Sequence, residues 1–96
     1  MQDPTWRPVA HEALALRTWD DELVVYNDAT GSTHHLNVLG RAVMQKLLAH
    51  PSGIAVGALV RSIADDAGTA ADAELAEAVE RTLADLAASR LAASST

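Results

Sequence analysis

Between residues 13 and 36, apolar and polar positions come in short alternating runs broken by turn residues; from residue 37 to about residue 90 they recur every three or four positions. The first spacing predicts strands and the second predicts helices. In residues 13–19, Leu14 and Leu16 share one face of a strand, with Ala15, Arg17 and Trp19 on the other. Asp20-Asp21 supplies a tight polar connection. Residues 22–27 are apolar on both faces, as a central strand requires. Turn chemistry returns at Asn27-Asp28-Ala29-Thr30-Gly31, where Gly31 suits a positive φ. The third strand, residues 32–36, is short and polar. Two hairpins in succession make an antiparallel meander with that third strand on an edge, and short polar edges resist unwanted pairing.

The helical half opens at Asn37, a favourable N-cap residue. Leu39, Val43 and Leu47 then form an apolar stripe flanked by Met44 and Leu48, and His50-Pro51 ends the helix. A second helix carries Val56, Leu59, Val60 and Ile63 and stops near Gly68. Thr69-Ala70-Ala71-Asp72 resembles a capping box for a third helix that runs to about Ser89, with Leu75, Val79, Leu83 and Leu86 as its stripe. Glu77 and Arg81 stand four apart in the favourable order for an ion pair. Ahead of the strands, Pro4 and Pro8 keep the first segment extended, with Trp6 as an anchor onto the fold. The expected architecture is α+β and winged helix-turn-helix-like: a three-stranded antiparallel sheet followed by three helices. Residues 1–91 form the domain and residues 92–96 a loose tail.

Composition narrows the function. Ninety-six residues fit one domain. The chain is 49% hydrophobic but has no Phe, one Tyr and two Trp, so Leu, Val and Ile must build the core. That suits a thin two-layer fold without a large internal cavity. A net charge of −6 disfavours nucleic acid as a partner. The third helix, where a winged-helix DNA reader would present cations, instead carries Asp72, Glu74, Glu77, Glu80 and Asp85 against Arg81 and Arg90. No Cys is present, which removes disulfides and thiolate sites. No apolar run approaches the roughly 18 residues of a membrane span, and no signal peptide is evident, so a cytoplasmic location is expected.

Candidate chemistry is sparse. His34 and His35 are adjacent on a strand, so their rings point to opposite faces and do not clamp one metal. His11 and His50 lie in other segments without ligand spacing. Asp20-Asp21-Glu22 and Asp65-Asp66 sit in a turn and at a helix end, where solvated carboxylates are ordinary. No nucleophile elbow, phosphate-binding glycine loop or zinc-protease pattern occurs. The expectation is a non-enzyme without metal or cofactor. What remains is an unpaired strand beside a long helix with small residues, Ala71, Ala78 and Thr82, flanking its stripe. An exposed edge of this kind accepts an extended peptide as an added strand. The same alanines also read as the plain surface of an Ala-rich helix.

The segment Trp19-Asp20-Asp21-Glu22-Leu23-Val24-Val25-Tyr26-Asn27, followed by Thr30-Gly31-Ser32-Thr33-His34-His35-Leu36-Asn37, resembles the PqqD family of peptide chaperones. These are recognition elements for ribosomally made, post-translationally modified peptides, and the resemblance is nearest to the subgroup associated with HPr-kinase-related proteins. It covers residues 6 to about 91. It implies a non-catalytic chaperone that binds the leader segment of a precursor peptide by strand addition and presents it to a modifying enzyme, here an HPr-kinase-related protein. Carried onto this chain, the pairing edge is Ser32, Thr33, His34, His35 and Leu36, and the groove wall is drawn from Leu75, Val79, Thr82, Leu83 and Leu86. Arg81 stands where it could meet a carboxylate of the leader. Relatives commonly end the third helix with Gly-Leu-Ile, where this chain has Ser89-Arg90-Leu91-Ala92; that departure implies a less sharp final turn. Two other readings stand beside this one: an adaptor docking directly on a kinase or other enzyme, and a winged-helix DNA-binding protein. The open edge also permits pairing with a second copy, so a homodimer is among the expected assemblies.

Overall fold

A computed structural model of the chain describes residues 4–9, 14–19, 22–27 and 31–94. Four strands come first: β1 (Thr5–Pro8), β2 (Leu14–Trp19), β3 (Glu22–Asn27) and β4 (Ser32–Leu36). They lead into helix α1 (Val38–Ala49), the two-residue β5 (Ile54–Ala55), helices α2 (Val56–Ala67) and α3 (Ala73–Ala88), and a final β6 (Ala92–Ser94). The fold is α+β, with three helices following the strand meander. The expected hairpins form an antiparallel sheet in the order β2-β3-β4, which leaves β4 on an edge. The connection at Asp20-Asp21 lies outside the described residues; at the second turn, Gly31 adopts φ of +71°.

Register decides which side of this sheet is buried. Leu23 lies opposite Leu36, Val25 opposite both Leu16 and His34, and Asn27 opposite Ser32. Directly opposed residues share a face, so Leu23, Val25 and Asn27 line up with the alternate residues of β4. That face packs on the helices: Leu23 and Val25 are buried together with Val43, Met44 and Leu47 of α1, Leu59 and Ile63 of α2, and Val79, Leu83 and Leu86 of α3. Each such aliphatic side chain contributes about 1.5–3 kcal/mol relative to exposure. The buried members of the expected helical stripes therefore build the core, with Leu39, Leu48 and Leu75 only partly buried against it.

The helix ends follow local chemistry. Asn37 caps α1, its side chain accepting from the Gly40 N–H at 2.8 Å. The cap of α3 is Asp72, which accepts from the Leu75 N–H at 2.9 Å, and not Thr69 as the capping-box reading expected. Thr69 is already engaged in ending α2. Its N–H donates to the Ala64 carbonyl while the Gly68 N–H reaches Asp65, a Schellman closure with Gly68 at φ of +66°. The expected Glu77–Arg81 pair does not form; among the described residues the ion pair is Lys46–Asp66.

The close of α3 corrects the expectation of a slack final turn. The Arg90 N–H donates to the Ala87 carbonyl at 3.0 Å and the Leu91 N–H to the Leu86 carbonyl at 2.8 Å, the same Schellman pattern. Arg90 takes the left-handed position at φ of 60°, which glycine adopts without steric cost. A side chain costs about 1 kcal/mol in that conformation. Its carbonyl accepts from the Asn27 side chain at 3.4 Å, and Asn27 is itself buried, so the end of α3 is pinned to β3. Arg90→Gly is accordingly expected to stabilise the protein by about 0.5–1 kcal/mol, read as a higher urea midpoint at unchanged slope.

A second antiparallel sheet, in the order β5-β1-β6, was not expected from the periodicity. The segment between Pro4 and Pro8 is extended as expected, but it is a paired strand: Trp6 stands opposite both Ile54 and Ser94 and packs partly buried against the core. The loose tail is corrected for residues 92–94. Ala92 is buried opposite Pro8, and the preceding Leu91 is fully enclosed, its carbonyl accepting from Val9 N–H. Residues 95 and 96 lie outside the described residues.

Candidate functional site

The open edge of β4 faces the C-terminal half of α3 across a cleft of about 340 Å³. From the strand, Thr33, His34, His35 and Leu36 line it. Thr33 and His35 have exposed side chains, while those of Ser32, His34 and Leu36 are half-buried on the helix-facing side. The His34 ring is held in place locally, its Nε2 lying 2.9 Å from the Ser32 hydroxyl. The two adjacent histidines thus present one ring beside the cleft and one to solvent. Among the described residues no three side chains of metal-binding type come together.

Where β4 ends, α1 begins within one residue, and the junction forms one end of the cleft through Asn37 and Gly40. Any side chain on Gly40 would press its Cβ to 3.2 Å from both the Asn37 Oδ1 and the Leu36 Cβ. Glycine therefore lets the strand end and the helix start approach closely, and keeps that end of the cleft open.

The opposite wall is a single helical stripe. Thr82, Asp85, Leu86 and Ser89 fall at intervals of three and four along α3 and so lie on one face. Thr82 donates its hydroxyl hydrogen to the Ala78 carbonyl at 2.9 Å, leaving a small side chain with its donor already used. Leu86 and Leu36 supply the apolar floor. Asp85 is exposed and has neither a hydrogen bond nor an ion pair through its carboxylate among the described residues.

Six residues of the expected pairing edge and groove wall therefore meet here: Thr33, His34, His35, Leu36, Thr82 and Leu86. Ser32 adjoins the cleft as the partner of His34. Val79 and Leu83 do not take part, because both have no exposed surface and belong to the core. Leu75 faces elsewhere, onto an apolar furrow of about 490 Å³ that it forms with Val38, Leu39, Ala42 and Ile63, bordered by the Lys46–Asp66 pair. Of the small residues expected to flank the groove, Ala78 borders the N-terminal half of α3 and Ala71 precedes the helix. Arg81 is exposed and outside the cleft lining. Asn37, Gly40, Asp85 and Ser89 were not anticipated. The signal for the last two was present: Thr82, Asp85, Leu86 and Ser89 make a small, mostly polar stripe one step from the core stripe.

No helix among the described residues is long and apolar enough to cross a membrane. Compared with known proteins, the chain matches no family model and no curated sequence. Among solved structures it is similar to TbiB1 in complex with the TbiA(β) leader peptide, with a TM-score of 0.72 over 90% of this chain and 93% of that one. The two sequences are 19% identical, so the likeness is one of fold.

Proposed function

We propose that this chain is a non-catalytic peptide chaperone that takes up the leader segment of a ribosomally synthesised precursor in the β4–α3 cleft. The observation that carries this reading is β4 at the end of its sheet among the described residues, with a mostly polar stripe of α3 across the cleft from it. An extended peptide pairing with that edge gains backbone hydrogen bonds, and alternate side chains enter the cleft for selectivity. The shared fold with TbiB1, whose structure holds a leader peptide, supports the same reading. The resemblance of residues 19–37 to the PqqD family favours placing the chain in that family and, within it, in the branch associated with HPr-kinase-related proteins. The modifying enzyme would then be the second partner. A two-partner role needs a second face, and the apolar furrow of Leu39, Ala42, Ile63 and Leu75 shares no lining residue with the cleft.

Titration of isotopically labelled protein with the leader of a precursor encoded beside its gene tests the proposal. Amide resonances of residues 32–36 and 82–89 are expected to shift together, with those of β2 largely still. Shifts confined to the furrow residues would favour the adaptor reading instead.

A further inference from the structure

Resting on the reading that an extended peptide occupies the β4–α3 cleft, we infer that Asp85 selects ligands bearing a lysine or arginine at the position that crosses α3. Asp85 is the one Asp, Glu, Lys or Arg among the described residues lining the cleft; its neighbours along the wall are Thr82, Leu86 and Ser89. The carboxylate sits in the last turn of α3, at the helix's negative pole, where an acidic group is disfavoured and a cation favoured. Arg90 stands just past the helix end, but its guanidinium makes no ion pair with Asp85. The last turn holds no basic residue, and the carboxylate has no ion-pair partner. Arg81, one turn earlier, makes no ion pair, and the His34 ring across the cleft is engaged with Ser32.

An acidic side chain that is locally unfavourable, unpaired and turned to a cleft acquires its counter-charge from what enters the cleft. A lysine or arginine there gains a charge-assisted hydrogen bond in a site that peptide binding partly desolvates. A glutamate at the same place meets both Asp85 and a chain of net charge −6. The expected selectivity is thus for a basic residue, the reverse of the Arg81-to-carboxylate contact that the family resemblance suggested. Apolar neighbours in the peptide are served by Leu36 and Leu86.

A displayed library of random dodecapeptides, selected on the folded protein and counter-selected on Thr82→Trp to discard ligands that bind elsewhere, tests the assignment. Selected peptides are expected to be enriched in lysine and arginine at one register position. Selection on Asp85→Lys is expected to move that position to aspartate and glutamate. Synthetic pairs differing only in lysine or glutamate there should differ about tenfold in Kd on the native protein, with the order reversed on the variant. Asp85 is exposed and lysine suits a helix C-terminus, so this variant is expected to melt no lower than the native protein. Cleft-binding peptides without a basic preference, or with the same preference on Asp85→Lys, overturn the role of Asp85 and leave the peptide reading standing. If no selected peptide discriminates against Thr82→Trp, the peptide reading itself falls, and the inference with it.

Discussion

Thr82→Trp is expected to weaken leader binding by about a hundredfold while leaving the protein folded. Thr82 is half-buried on the cleft wall, and its side chain is among the smallest there. An indole in its place is too large to share a 340 Å³ cleft with an added strand and too rigid to fold away from it. Displacing the peptide from the edge of β4 removes two to four of its backbone hydrogen bonds, each with a net value of about 1 kcal/mol. At about 1.4 kcal/mol per factor of ten, the loss falls near two decades. The fold should tolerate the change, because the native hydroxyl bonds only its own helix. Calorimetric titration gives the affinity and circular dichroism the melting temperature. Unchanged affinity in the folded variant would remove the cleft as the binding site.

The adjacent residue should behave in the opposite way. Leu83→Ala is expected to destabilise the protein by about 3–4 kcal/mol, with little effect on the affinity of molecules that remain folded. Leu83 has no exposed surface and belongs to the same buried cluster as Val79, Leu86, Met44 and Val25, so its truncation leaves a cavity in the main core. In a domain of this length each kcal/mol shifts Tm by about 4–8 °C, so the transition should fall by well over 10 °C. Two neighbouring substitutions on one helix thus separate binding from stability. A Leu83→Ala protein that is as stable as the native one, but binds weakly, would assign the leucine to the cleft.

That separation also marks the limit of what periodicity could deliver. Glu22–Asn27 was legible to the residue because a doubly apolar run bounded by turn residues has few alternatives, and Ser32–Leu36 because it is bracketed by the glycine turn at Gly31 and the helix cap at Asn37. The apolar stripes of α1 and α2 were equally plain. On α3, Leu75, Val79, Leu83 and Leu86 recur with one spacing, and spacing alone cannot tell which member meets the core, the cleft or the furrow. Only the direction in which α3 crosses the sheet decides that, and the crossing depends on contacts far apart in sequence, such as Asn27 to Arg90. The second sheet was illegible for another reason. Ala92-Ala93-Ser94 has no intrinsic preference for strand, and Ile54-Ala55 is too short to show alternation. Both become strands because β1 offers them partners. The Schellman turn at Arg90 likewise forms despite an unfavourable residue, since burial of Leu91 and the bond from Asn27 hold it.

The pairing of β1 with β6 has a consequence for the order of events during synthesis. It joins Trp6 to Ser94, nearly the whole length of the chain, whereas the β2-β3-β4 meander closes within residues 14–36. Local pairings form early, and closures over long separations wait for the intervening chain. On the ribosome, the meander is available once its turns have emerged, while one side of β1 stays unpaired until Ala92, Ala93 and Ser94 leave the exit tunnel. Leu91 and Ala92, which lie in the buried interior, arrive in the same late step. The strand that locks the first one is therefore supplied late, and a nascent chain halted before residue 91 would lack both that lock and the turn that anchors α3 beside the cleft.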